Sequence, residues 1–176
     1  MNQVARIPQR EGALVTAEQA DDLLHYCPVT GNFTWRQDRG GGAKAGDIAG
    51  TVTSTGYRQI HAAGRLYFAH RLAWLLTHGD WPSGVIDHID GDGMNNRIEN
   101  LRDVSVAMNQ QNQRRAQRSN KSSGLLGAHF DRRTGRWLAK ISKANRTLNL
   151  GRYDTAAEAH AAYMEAKRTI HVGALK

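Results

Sequence analysis

Residues 87–101, DHIDGDGMNNRIENL, concentrate the side chains that could do chemistry. Carboxylates, amides and one imidazole follow directly on the apolar pair Val85-Ile86. Carboxylate and amide oxygens are ligands for hard divalent cations, and an imidazole can accept a proton near neutral pH. Asp and Asn are also common in turns. The stretch therefore predicts either a cation site beside a base or a structural loop.

Other metal sites fit this stretch poorly. An EF-hand loop that starts at Asp90 fails at three of its required positions, and the chain has no HExxH motif of a zinc protease. Cys27 is the single cysteine, which excludes a cysteine-based zinc site and an intrachain disulfide. A Mg²⁺ ion would fit a site built from a carboxylate and an amide, because it takes few protein ligands and keeps positions for water and phosphate. The structural alternative is that Asp87 pairs with Arg97 or Arg102.

A strand, a loop and a helix must position these side chains. Asp87 and His88 lie in a strand predicted at 85–89, and a helix capped by Asp103 or Ser105 is predicted to run to about residue 115. This layout can bring a strand carboxylate and a helix amide around one cation. Neighbouring strand residues point to opposite faces, so Asp87 and His88 share a site only if the strand bulges or bends at its end.

The remaining elements follow from turn and cap signals. Capping boxes at Thr16 and Thr155 predict helices to about residues 26 and 173, and Gly79 predicts the end of a third helix. The predicted boundaries of the third helix are 68–79, and the other predicted strands are 32–36, 57–61, 65–68, 126–131, 137–142 and 146–150.

Charge divides the chain into two parts. Residues 1–112 hold 10 Lys and Arg against 12 Asp and Glu, whereas residues 113–176 hold 14 against 4. A basic excess confined to one part favours a nucleic acid as partner over a merely solvated basic surface. The polar, basic stretch 113–124 predicts a domain boundary. No apolar run is long enough for a membrane span, so a soluble cytoplasmic protein without a membrane partner is expected.

Several separated segments resemble the HNH nucleases, also called ββα-metal nucleases, and specifically their homing-endonuclease branch. The segments are HYCPVTGNFTW, GYRQI, AHRLAW, GVIDHIDGDGMNNRIENLR and MNQQN. The distances between Asp87 and Asn100 and between Asn100 and Asn109 also agree with that family. The resemblance implies an N-terminal ββα-metal domain that cuts DNA.

The resemblance also assigns roles. It implies that Asp87 and Asn109 hold one Mg²⁺ on the scissile phosphate, that His88 is the general base and that Asn100 braces the loop and helps to orient His88. Asp87 and Asn109 stand where many relatives have histidine, which favours a hard cation over zinc. Mn²⁺ could replace Mg²⁺. Structural alternatives stay open for Asp87, as an arginine partner, and for Asn109, as a residue of the helix surface.

The C-terminal part resembles an AP2 DNA-binding domain in the segments SSGLLGAHF, TGRWLAKI, LNLGRYDTAAEA and HAAYMEA. That family has a three-stranded antiparallel sheet packed on one helix, with the sheet in the major groove. Strand alternation predicts that Phe130 and Leu148 face the helix and that Leu138 faces DNA. The predicted DNA-binding residues are His129, Arg132, Arg133, Arg136, Lys140, Ser142, Arg146, Thr147, Asn149 and Arg152.

The sequence thus predicts an α+β protein in which an HNH domain is joined by a basic linker to an AP2-like domain. The predicted boundaries are a tail at 1–15, the nuclease domain at 16–115, the linker at 116–123 and the AP2-like domain at 124–176. The predicted activity is site-selective cleavage of double-stranded DNA by a mobile-element or phage enzyme in a bacterial host cell. The alternatives are a catalytically silent DNA-binding regulator and, less favoured, an RNA-binding protein. No protein partner is implied, and monomer and homodimer both stay open.

Overall fold

The computed structural model describes residues 14–112, 116, 120, 122–143 and 146–170. The chain divides into two compact units, Met1–Ser105 and Val106–Lys176. This division precedes the linker predicted at 116–123, and much of that linker, like the tail to residue 13, lies outside the described residues. The described part is a mixed α+β structure with small antiparallel sheets and four α-helices. No helix in that part is long and apolar enough to cross a membrane.

The first unit begins with a capped helix and a short hairpin. The Thr16 side chain accepts a hydrogen bond from the Gln19 backbone, and the Gln19 side chain accepts one from the Thr16 backbone, as the capping box predicts. The elements of this unit are α1 (Ala17–Leu23), β1 (Leu24–Tyr26), β2 (Phe33–Trp35), β3 (Thr51–Val52), β4 (Arg58–Ala62), β5 (Arg65–Phe68), α2 (Ala69–His78), β6 (Val85–His88), a 3₁₀ turn (Ile98–Asn100) and β7 (Leu101–Val104). Helix α1 is three residues shorter than predicted, since β1 begins at Leu24.

Antiparallel pairs build this unit around one core. Strand β1 pairs with β2, β4 lies between β3 and β5, and β6 pairs with β7. Helix α2 ends at a left-handed Gly79, as predicted, and buries Leu72 and Leu75. These residues pack with Phe33, Leu24 and Ile60 in a cluster that also includes Ile86 and Leu101. The core therefore supports the strand pair that carries Asp87 and His88.

Strand β7 was not predicted as a strand. Asp103, which the sequence offered as a helix cap, lies in β7 and accepts hydrogen bonds from the backbone and hydroxyl of Ser83 and from the backbone of Gly84. Burial opposes the ionisation of Asp103, but these hydrogen bonds outweigh it and lower the pKa of the carboxyl group. Asp103 therefore ties β7 to the segment that enters β6.

The second unit contains a short helix, a three-stranded sheet and a long helix. These are α3 (Val106–Gln111), β8 (Ala128–Asp131), β9 (Arg136–Lys143), β10 (Arg146–Tyr153) and α4 (Ala156–Ile170). The sheet is antiparallel with β9 in the centre, and the Thr155–Glu158 capping box precedes α4. Ala128, Ala139 and Ala159 form the buried centre of this unit. The ends predicted for α3 and α4, at 113–115 and 171–173, lie outside the described residues.

Candidate active site

Strands β6 and β7 place Asp87 beside an arginine. The two strands pair in continuous register, with Asp87 opposite Arg102. Arg102 donates from Nε and Nη2 to Oδ2 of Asp87 at 2.9 and 2.8 Å, and the Asp87 side chain is 14% exposed. The register contains no bulge, and His88 is the last residue of β6, so the two side chains can share a site only through a bend at this strand end. Strand β6 ends at His88, whose carbonyl accepts a hydrogen bond from the Gly91 backbone.

His88 lies in a buried pocket of polar and aromatic side chains. It is 7% exposed, and its Nε2 atom lies 3.2 Å from Oδ1 of Asn96, which is itself buried. The His70 ring packs edge-on at a centroid distance of 5.1 Å, and the Tyr57 ring lies at 5.9 Å. An imidazole with a defined polar partner and packed walls has a restricted orientation, which is what a general base requires.

Asn100 holds the loop that follows His88. Its Oδ1 accepts a hydrogen bond from the Asp90 backbone at 3.0 Å. Its Nδ2 donates to Oδ1 of Asp90 and to the carbonyl of Asn95, each at 2.9 Å. The Asn100 carbonyl also accepts from the backbone of Ile89. One amide thus joins both ends of the loop, but the side chain that contacts the His88 ring is Asn96.

His70 is the second imidazole of this region. It lies on α2, is 9% exposed, stacks on Phe68, and its Nδ1 atom has no hydrogen-bond partner in the described part of the chain. Burial, reinforced by the neighbouring His88 and Arg71, lowers the pKa of His70 to about 3. The ring is therefore neutral at physiological pH.

Asn109 lies on α3 and is half-buried. Since α3 belongs to the second unit, the role of Asn109 as partner of Asp87 stays a prediction. Within the described residues no three His, Cys, Asp or Glu side chains come together as a metal site. One carboxylate and one amide nevertheless suit a single Mg²⁺, because this ion retains water and binds phosphate in its other positions. Arg102 lies on the same carboxylate and would compete with the cation.

All ten predicted DNA-binding residues of the second unit are exposed. Cross-strand pairing puts Lys140 opposite Asn149, Ser142 opposite Thr147, and His129 and Arg152 on either side of Leu138. Paired residues of antiparallel strands share a face, so these side chains form one polar surface, which we call the outer face of the sheet. Arg132 and Arg133 lie in the turn before β9. Arg136 is the first residue of that strand, and its Nη2 atom forms an ion pair with Oδ1 of Asp154 at 2.8 Å.

Several details of this sheet differ from the predictions. Leu138, predicted to face DNA, is only 9% exposed, and it lies between the long side chains of the outer face. Phe130 and Leu148, predicted to pack on the helix, are each 45% exposed because α4 covers mainly the alanine-rich centre. Arg146 pairs with Lys143, and alternation places it with Leu148 rather than with Thr147. A register shift between Asn149 and Gly151 returns Arg152 to the outer face.

Sequence reasoning missed two residues that touch His88. Asn96 appeared only among the Asp and Asn residues that are common in turns, and His70 only within the segment AHRLAW. The signal that could have identified Asn96 is its type, since a buried asparagine needs hydrogen-bond partners. No local pattern joins residues 70 and 88, because their contact depends on how α2 packs against β6.

Residues 67–111, about a quarter of the 176 residues, match the model of the HNH endonuclease family. The match begins in β5 and ends at the last residue of α3. It supports an HNH nuclease domain, and thus a hydrolase that acts on DNA, in this part of the chain; HNH nucleases generally use a divalent metal ion. No curated protein and no solved structure is similar enough to this chain to count as a match.

Proposed function

We propose that this protein is a site-selective DNA endonuclease in which His88 is the general base. The observation that carries the proposal is the match of residues 67–111 to the HNH endonuclease family, with His88 within it at the end of β6. The buried position of His88 and its contact with Asn96 support a role that needs a fixed imidazole.

The proposed reaction is hydrolysis of one phosphodiester bond. His88 accepts a proton from a water molecule, and the oxygen of that water forms a bond to phosphorus. The bond between phosphorus and the 3′ oxygen breaks, and the leaving oxygen takes a proton from solvent. The products then carry a 3′-hydroxyl and a 5′-phosphate. A positioned general base contributes about 10²- to 10⁴-fold to such a rate.

Asp87 and Asn109 would hold a Mg²⁺ ion, with Mn²⁺ as a possible substitute. When bound, this cation stabilises negative charge on the phosphate and the leaving oxygen. Asn100 keeps the loop between His88 and β7 closed through its bonds to Asp90 and Asn95. Arg102 holds the Asp87 carboxylate in one orientation and would have to release it, at least in part, for the cation.

We further propose that the second unit binds DNA through the outer face of its sheet, as in an AP2-like domain. The exposed Lys140, Thr147, Asn149 and Arg152 support this assignment, since a β-sheet can enter the major groove. The arginines of the turn before β9 would bind phosphates and supply affinity that falls with salt. The activity fits a homing enzyme of a mobile element.

A catalytically silent DNA-binding regulator is the second candidate. The observation that favours it is the ion pair between Asp87 and Arg102, which neutralises the carboxylate without a cation. The two candidates differ in one respect, since only the nuclease needs His88 for a chemical step.

The test is incubation of the full chain with mixed double-stranded DNA and Mg²⁺, with and without a chelator, followed by mapping of the ends. We expect cation-dependent cuts with 5′-phosphate ends. His88→Ala should slow cutting about 10²- to 10⁴-fold and leave binding nearly unchanged, whereas His61→Ala, at an exposed histidine of β4, should behave as the wild type. Binding without any cutting by the wild type would favour the regulator.

A further inference from the structure

The Asn96 side chain can present only one of its two ends to His88. Its Nδ2 donates to the carbonyl of Met94 at 3.2 Å, and a carbonyl oxygen can only accept. The opposite amide orientation would turn Oδ1 against that carbonyl oxygen and leave two acceptors facing each other. The oxygen of the amide, Oδ1, therefore faces Nε2 of His88 at 3.2 Å.

This orientation fixes which ring nitrogen carries the proton. Because Oδ1 is an acceptor, Nε2 of His88 must donate, and in the neutral ring Nδ1 then keeps its lone pair. Both side chains are buried, Asn96 at 1% exposure and His88 at 7%, so water competes little for this hydrogen bond.

Residues of the β1–β2 hairpin contact the backbone of Asn96. The Tyr26 hydroxyl donates to the Asn96 carbonyl at 2.8 Å. Gly31, with a φ of +74°, lies in the hairpin turn, and a Cβ atom there would come within 2.6 Å of backbone atoms of both Asn96 and Arg97. The backbone of Asn96 is thus fixed by contacts distant in sequence from the site, which leaves its side chain little freedom to turn away from His88.

We infer that Asn96 is a positioning residue, whose Oδ1 holds His88 with Nε2 protonated and Nδ1 as the nitrogen that receives the proton of the attacking water. This inference rests on the proposed function of His88. Asn95, the adjacent amide, serves as a matched control because its Nδ2 donates to Asp90 at 2.6 Å and no contact of its side chain with His88 is seen in the described residues.

The first measurement is a long-range ¹H–¹⁵N correlation spectrum of the histidine rings in the full, metal-free chain. It is recorded at about pH 9, where imidazoles of ordinary pKa are neutral. We expect His88, assigned by loss of its signals in His88→Gln, to show a protonated Nε2, a bare Nδ1 and a slowly exchanging ring N–H. A proton on Nδ1 in the wild type would overturn the inference, and this result needs no variant at position 96.

The second measurement compares Asn96→Ala with Asn95→Ala. We expect Asn96→Ala to lose the slowly exchanging ring proton and to lower kcat about ten- to hundredfold with KM within about twofold, as removal of a partner that orients a functional histidine does. Asn95→Ala should keep the wild-type ring signals. Identical His88 signals in the wild type and in Asn96→Ala would overturn the inference. If the wild type does not cut DNA, the proposed role of His88 as general base is wrong. The ring signals still show whether Asn96 determines which nitrogen of His88 carries the proton.

Discussion

The neutral, buried His70 makes the stability of the first unit depend on pH. Its pKa is lowered to about 3 by burial and by the neighbouring His88 and Arg71, whereas an imidazole in an unfolded chain has a pKa of about 6.5. Between these two values the unfolded chain binds a proton at this position and the folded chain does not. The stabilisation is therefore complete above about pH 6.5 and is lost as the pH falls towards 3.

The size of this effect follows from the two pKa values. Lowering the pH from about 7.5 to about 5 protonates nearly all of the unfolded His70 side chain and little of the folded one. At about 1.4 kcal/mol for each pH unit below the unfolded pKa, His70 alone removes about 2 kcal/mol of unfolding free energy. In His70→Gln this loss is absent, because glutamine does not titrate.

The assay is urea denaturation of the full chain at the two pH values, followed by tryptophan fluorescence. The unfolding free energy of the wild type, measured relative to that of His70→Gln, should be about 2 kcal/mol lower at the lower pH. His61→Gln changes an exposed histidine of the same unit, and we expect its denaturation midpoints to follow those of the wild type at both pH values. An equal difference between the wild type and His70→Gln at both pH values would refute the assignment of a neutral, buried imidazole.

Three further predictions concern the hairpin turn and the second unit. Gly31→Ala should lower the unfolding free energy by about 2 kcal/mol more than Gly64→Ala, because both glycines have positive φ but only Gly31 touches backbone atoms; equal losses in denaturation would contradict this. If about five phosphates are contacted, DNA affinity should fall with a log–log salt slope of roughly −4 to −5, and a flat titration would contradict the phosphate contacts. A chain ending near residue 118 should cut DNA weakly and with poorer site choice. Unchanged DNA affinity of this shorter chain in a binding assay would contradict the proposal that the second unit supplies affinity.

Local patterns predicted the elements whose signals lie within a few residues. The signals at Thr16, Thr155 and Gly79 depend only on neighbouring residues. The two capping boxes and the left-handed Gly79 appear where they were predicted. Strand β7 was missed because its pairing with β6 spans the whole polar loop. A strand that is stabilised by a partner distant in sequence need not show a clear alternation of polar and apolar residues.

In the candidate site, too, some residues were predictable from the sequence, whereas contacts between distant segments were not. The residue types of 87–101 pointed to Asp87 and His88, and the resemblance to HNH nucleases added Asn100. The ion pair of Asp87 with Arg102 is one of the two arginine alternatives that the sequence left open. The contacts that His88 makes with Asn96 and His70 required the packing of a hairpin and a helix around the strand end. On the outer face of the sheet, a one-residue register shift moved Arg152, and strand alternation alone could not place it.

Chemical rescue of a His88→Gly variant tests the central claim most directly. Removal of a buried imidazole leaves a space of matching shape, so added free imidazole can replace the base in the full chain with Mg²⁺ and a cleavable DNA. We predict that His88→Gly cuts about 10²- to 10⁴-fold more slowly than the wild type, binds DNA as well, and recovers part of its rate with imidazole. Cutting by His88→Gly at the wild-type rate without imidazole would contradict the account.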